Sequence, residues 1–179
     1  MHFVTRSESE RFFERMGIDD RGPMPGSRSD ARLKIFDVYY QSRLAVADKV
    51  SRVLASRQGD FSTCHLWVHG LPFGDRSLDE TPPPDWARYR RWREATGETR
   101  SLYEAPGHVF QEGEQEVLAR VIEFAILLGW DALIAAVPHK GVLDLSHDDR
   151  ITIYARSRPS GLIVGLERLG LTARKRALR

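Results

Sequence analysis

Three runs of strand composition follow one another between Trp130 and Arg156, and the segments between them are too short for anything but hairpins. Trp130 to Val137, Val142 to Leu145 and Arg150 to Arg156 are joined by Pro138 to Gly141 and by Ser146 to Asp149. A parallel pairing would need a crossover of a dozen or more residues, so the stretch predicts an antiparallel meander. A meander needs an apolar layer against it, and the preceding segment supplies one. Glu112, Glu114 and Glu116 lie where a helix dipole favours negative charge, and from Val117 to Leu128 only Arg120 and Glu123 are charged. Gly129 is placed to stop that helix in the left-handed conformation.

Upstream, Thr63 to His69 reads as a strand whose faces separate, with Cys64, Leu66 and Val68 on one and His65, Trp67 and His69 on the other. Leu33, Phe36, Tyr40, Leu44, Ala47, Val50 and Leu54 recur at three- and four-residue steps, which predicts one long helix from Ser29 to a stop at Gly59. Asp85 is placed to cap a helix to Ala95 with Trp86, Tyr89 and Arg93 on one side. Residues 8–16 read as a short amphipathic helix ended by Gly17, and Pro159 opens a last helix that ends near Gly170 before a basic tail. Residues 71–84 and 96–111 read as loops. The expected fold is α+β, a mostly antiparallel sheet of about four strands, with a C-terminal three-strand meander, packed against helices. Residues 1–28 form an N-terminal helix and linker that either pack on the body or act as a detachable arm, and residues 29–179 form a single globular domain.

Composition narrows the setting. One cysteine in 179 residues, Cys64, makes an intrachain disulfide framework impossible, and a chain of this length needs none to hold a core. No apolar run reaches the ~20 residues of a membrane helix, and charges interrupt the N-terminus throughout. A cytoplasmic location without membrane contact is expected. Of the 27 basic residues 23 are arginine, a skew that fits a GC-rich, bacterial-type genome. The 25 acidic residues leave a net charge of only +2, which is a poor argument for nucleic acid by itself.

The chemistry-bearing residue types form no familiar motif. No phosphate loop, dinucleotide fingerprint, paired cysteines or zinc-helix motif occurs, so no cofactor and no metal is expected. His65 and His69 share a strand face, but four residues at ~3.3 Å each hold them too far apart for one zinc ion. Ser146, His147, Asp148 and Asp149 contain every member of a hydrolase triad, yet neighbours in a turn splay apart. A hydrolase-like site would have to be distributed over Glu104, His108, His147 and Asp148, all within about 10 Å of one another.

The segment from Asp85 to Glu94 interleaves Arg88, Arg90, Arg91 and Arg93 with Trp86, Tyr89 and Trp92. Arginine and tryptophan are the preferred anchors of protein interfaces, and the same pairing can hold phosphates and stack on bases. The preferred reading is a small protein-binding domain, of antidote, immunity or regulatory adaptor type, with Trp86, Arg90, Arg93, Tyr103 and His108 at its interface. The alternative is nucleic-acid binding through this helix and the basic tail of Arg174, Lys175, Arg176 and Arg179. The hydrolase-like set is a second alternative.

Overall fold

The computed structural model describes residues 1–24, 33–40, 43–58, 61–71, 84–138 and 141–176. Its centre is one antiparallel sheet of eight strands, twice the number expected. The meander is present as β7 (Asp131–Val137), β8 (Val142–Ser146) and β9 (Arg150–Ala155), and β5 (Thr63–Gly70) pairs with β7. The other four are β1 (His2–Val4), β4 (Lys34–Tyr39), β6 (Gly107–Gln111) and β10 (Thr172–Arg176). The order across the sheet is β1-β6-β5-β7-β8-β9-β4-β10, and every neighbouring pair is antiparallel. A small separate hairpin is made by β2 (Ile18–Asp19) and β3 (Gly22–Pro23).

Each strand that the sequence hid was hidden for a physical reason. Residues 34–39 belong to β4, not to the helix expected from Ser29. Phe36, Val38 and Tyr40 point to the main core and Ile35 to the opposite face, and a step of four residues satisfies both the strand period and the helix period. The helix itself, α2, is Arg43–Gln58; the expected start at 29–32 and the Gly59 stop lie outside the described residues. β6 emerges from the expected loop because its five residues, GHVFQ, are too few and too mixed to show a usable alternation. β10 replaces the expected tail, since its alternating pattern is masked by charge.

Among the described residues, four helices cover one face. They are α2, α3 (Pro84–Ala95), α4 (Gln115–Leu128) and α5 (Ser160–Glu167), and they bury the main core against Cys64, Leu66, Phe110, Ile134, Leu143 and Ile153. α4 has buried residues on most of its circumference because it lies between α2 and the sheet. Gly129 closes it at φ 62° with its N–H returned to the last turn, as the sequence indicates.

The opposite face is covered in part by α1 (Arg6–Glu14) and the β2–β3 hairpin. Thr5 caps α1 in a reciprocal box with Glu8, and Phe13 and Ile18 are buried with Trp67, Leu133 and Tyr154. With β1 paired to β6, residues 1–24 are built into the sheet's edge and second face; the remainder of the expected linker, 25–28, lies outside the described residues.

Where β1, α1 and β6 converge, Gly107 leaves no room for a side chain: a Cβ there would collide with Ser9 Oγ and Val4 Cγ2. Gly107→Ala is expected to cost about 2 kcal/mol or more and to lower the thermal midpoint by several degrees. Gly161→Ala, in α5 with open space around it, is expected to raise the midpoint slightly through helix propensity. Thermal unfolding of the two variants beside the parent checks both signs.

Candidate functional site

The sequence PDWARYRRWREA makes α3 a helix with two different sides. Pro84 is pre-set for a first turn, and Trp86, Tyr89 and Arg93 recur on the inward side, where all three are buried. Arg90 and Arg91 face outward and are exposed. Arg88 lies between, within 3.7 Å of Asp85 and 3.8 Å of Glu123, with its guanidinium over the Phe124 ring.

Arg93 is the unusual residue. It is only 4% exposed, and its guanidinium donates to the carbonyls of Arg100, Ser101 and Ala105 and to Tyr89 Oη. Its planar face rests 4.3 Å from the centroid of Phe3. A buried charge is tolerable only when it is well hydrogen-bonded, and here three carbonyls of the loop and the Tyr89 hydroxyl accept from it. The relay continues inward. Tyr89 O–H lies 2.9 Å from His108 Nε2, and His108 Nδ1 lies 3.2 Å from the Pro106 carbonyl. Arg93 donates to the tyrosine oxygen, the tyrosine proton goes to Nε2, and Nδ1–H goes to the carbonyl. Burial first, and then the Arg93 charge, lower the His108 pKa to about 3, so the imidazole is neutral throughout the physiological range.

Above this floor, α3 and residues 98–104 enclose a cleft of about 350 Å³. Its rim alternates in sign: Arg90 and Arg100 on one hand, Glu94, Glu98 and Glu104 on the other. Arg100 holds Glu98 at 2.6 Å, which lowers the Glu98 pKa to about 2. Glu104 accepts from the N–H and hydroxyl of Ser101 and closes the loop's last turn. Tyr103, next to it, is 45% exposed.

The structure therefore divides the five residues expected at an interface. Arg90 and Tyr103 stand on the surface. Trp86 and Arg93 are buried beneath them, where they line the floor of the cleft, and His108 is fully buried in β6. The aromatic residues of α3 offer no stacking platform either, because Trp86 and Tyr89 are core and Trp92 is half-buried against Phe3 and Phe124. Of the basic tail, Arg174, Lys175 and Arg176 lie in β10, and Arg179 lies outside the described residues.

The distributed hydrolase-like set is not assembled. His108 sits under α3 in β6, whereas His147 and Asp148 occupy the turn after β8, three strand positions away or roughly 14 Å. Glu104 is on the α3 rim. His147 has its own partners, with Nδ1 2.9 Å from Asp131 and Nε2 3.4 Å from Asp148.

One cluster escaped the sequence altogether. The registers β8–β9 and β9–β4 place Asp144, Thr152 and Asp37 side by side on the sheet's second face. Thr152 donates to Asp37, Arg176 holds the same carboxylate with two bonds of 2.6 and 2.7 Å, and Tyr154 reaches Asp144 at 3.3 Å. The available signal was a carboxylate in the middle of an apolar alternation, as in IFDVY and VLDLS.

The chain matches no protein family model, and no curated protein or solved structure matches it. Its function has to be read from the residues. Among the described residues no helix is long and apolar enough to cross a membrane.

Tyr89→Phe would leave Arg93 Nη1 and His108 Nε2 without their shared partner in a buried site, at an expected cost of about 2–3 kcal/mol by urea unfolding. Arg91→Ala, on the outward side, is expected to stay within about 0.5 kcal/mol. Asp144 yields a pH dependence. Burial raises its pKa to about 6, so the folded chain binds this proton more tightly than the unfolded one. Its contribution is then complete below about pH 4 and is lost as the pH rises through 6. Asp144→Asn is accordingly expected to gain about 2 kcal/mol at pH 8 over the parent, with the gain vanishing below pH 4. Unfolding free energies measured from pH 4 to 8 check the sign.

Proposed function

We propose that the chain is a protein-binding domain, of antidote, immunity or regulatory adaptor type, and that its contact surface is the rim formed by α3 and residues 98–104. The observation that carries this reading is the Arg93 clamp, which fixes an exposed loop bearing Tyr103 against an exposed arginine helix. A rim held rigid before binding loses little conformational entropy when a partner docks. Tyrosine and arginine supply large contact areas at low entropic cost. The alternating charges of Arg90, Glu94, Arg100 and Glu104 favour a partner whose charges alternate to match, which gives specificity more than affinity. Nucleic acid is the alternative partner, and a rim with three carboxylates against two guanidinium groups suits a polyanion less well.

A photo-crosslinking amino acid placed at Tyr103, and as a control at Val164 on α5, identifies the partner in cells. With that partner purified, Tyr103→Ala and Arg90→Glu are each expected to weaken binding at least tenfold while leaving the unfolding midpoint unchanged. Equal crosslinking from both positions, or unchanged affinity in both variants, would reject the rim as the interface. Salt-sensitive binding of single-stranded oligonucleotides that is lost in Arg90→Glu would favour the alternative.

A further inference from the structure

The net charge of +2 conceals a segregation along the chain. From Arg150 to the end there are eight basic residues and one acid, Glu167, so the last 30 residues carry +7 and the preceding 149 carry −5. The fold gathers much of that excess at one edge of the sheet. β10 is the outermost strand, and Thr172, Arg174, Lys175 and Arg176 are all exposed along it. Lys34 begins the neighbouring β4, Arg156 and Arg158 follow β9, and Arg168 precedes β10 at the end of α5. Asp37 is already engaged by Arg176.

The edge is also a preformed template. β10 is held in register by five Cα pairs with β4 and by the two hydrogen bonds that Arg176 donates to Asp37. An antiparallel strand with a neighbour on one side leaves alternate N–H and C=O groups pointing away from the sheet. Among the described residues, no backbone group outside β4 bonds to residues 172–176. The opposite edge differs, because β1 has only three residues and its Phe3 carbonyl already accepts from Arg100.

We infer that β10 is the docking edge for an extended, acidic polypeptide segment of another protein, which adds to the sheet as a ninth strand. Two occupants are disfavoured by the same residues. A second copy pairing β10 to β10 would set arginine and lysine against each other, and like charges directly opposite are destabilising. A nucleic acid has phosphate oxygens to accept from the outward N–H groups, but its backbone has no donor for the outward carbonyls. A polypeptide satisfies both, and carboxylates on it meet Arg174 and Lys175. This edge is remote from the α3 rim and independent of it.

Hydrogen exchange of the full chain, followed by NMR, tests the inference with two end-capped peptides. One carries glutamate on both faces of the extended strand, as Val-Glu-Glu-Val-Glu-Glu-Val, and the other has lysine in place of each glutamate. The glutamate peptide is expected to slow exchange of alternate amides within residues 172–176 at least tenfold, and the lysine peptide to leave them unchanged. The preference is expected to invert in the double variant Arg174→Glu, Lys175→Glu, and to persist in Tyr103→Ala. The inference is overturned if neither peptide slows these amides, if both slow them equally in the parent, or if oligothymidylate protects the same amides as strongly. The parent-protein comparison does not depend on any variant folding.

Discussion

An eight-stranded open sheet has two faces and two edges to satisfy, and the order of the chain sets what is available for each. Four helices close one face with an apolar layer centred on α4. Among the described residues, the second face is covered by α1 and a short hairpin, which bury Trp67, Leu133 and Ile35. The strands answer locally. Where that smaller cover lies they present large apolar groups, and toward β8, β9 and β4 they present Asp144, Thr152 and Asp37. Polar groups at those positions are sustained by one another and by Arg176, which is how partly buried carboxylates remain tolerable.

The same rule governs Arg93 at the other end of the sheet. A guanidinium in the core would be costly if it were unpaired, and it donates to Tyr89 and to three carbonyls of a loop that has no secondary structure to fill them. Each side solves the other's problem. The loop loses its unsatisfied acceptors, and the arginine loses its need for water. The cost of burying the charge is converted into a single loop conformation, and Tyr103 and Glu104 are presented in a fixed arrangement.

What was legible in the sequence follows from this division. β5, the three-strand meander, α4 and its glycine stop are visible because their signals are local: alternation, short turns and a charge-free run. β4 was not, since Phe36 and Tyr40 are four apart and fit a helix as well as a strand. For the candidate rim, the sequence singled out the helix and the loop that follows it but not the depth of their residues. An arginine among aromatic residues resembles an interface anchor, and only the fold shows that Arg93 faces inward while Arg90 faces out. The carboxylate row was beyond sequence reasoning for a different reason. Asp37 and Thr152 are 115 residues apart, and their adjacency is a matter of register.

The segregation of charge along the chain becomes a segregation in space through the strand order. β6, which carries His108 under the rim, and β10 are separated by six strand spacings, about 29 Å at ~4.8 Å each. That distance is more than three times the Debye length of ~8 Å at physiological salt. The alternating charges of the α3 rim and the cations of the β10 edge are therefore screened from each other, and a partner at one end does not alter the field at the other. A chain of nearly zero net charge thus presents two electrostatically independent surfaces: one of mixed sign at the α3 rim, and a cationic one at the β10 edge whose field extends only over the few ångströms where screening is incomplete.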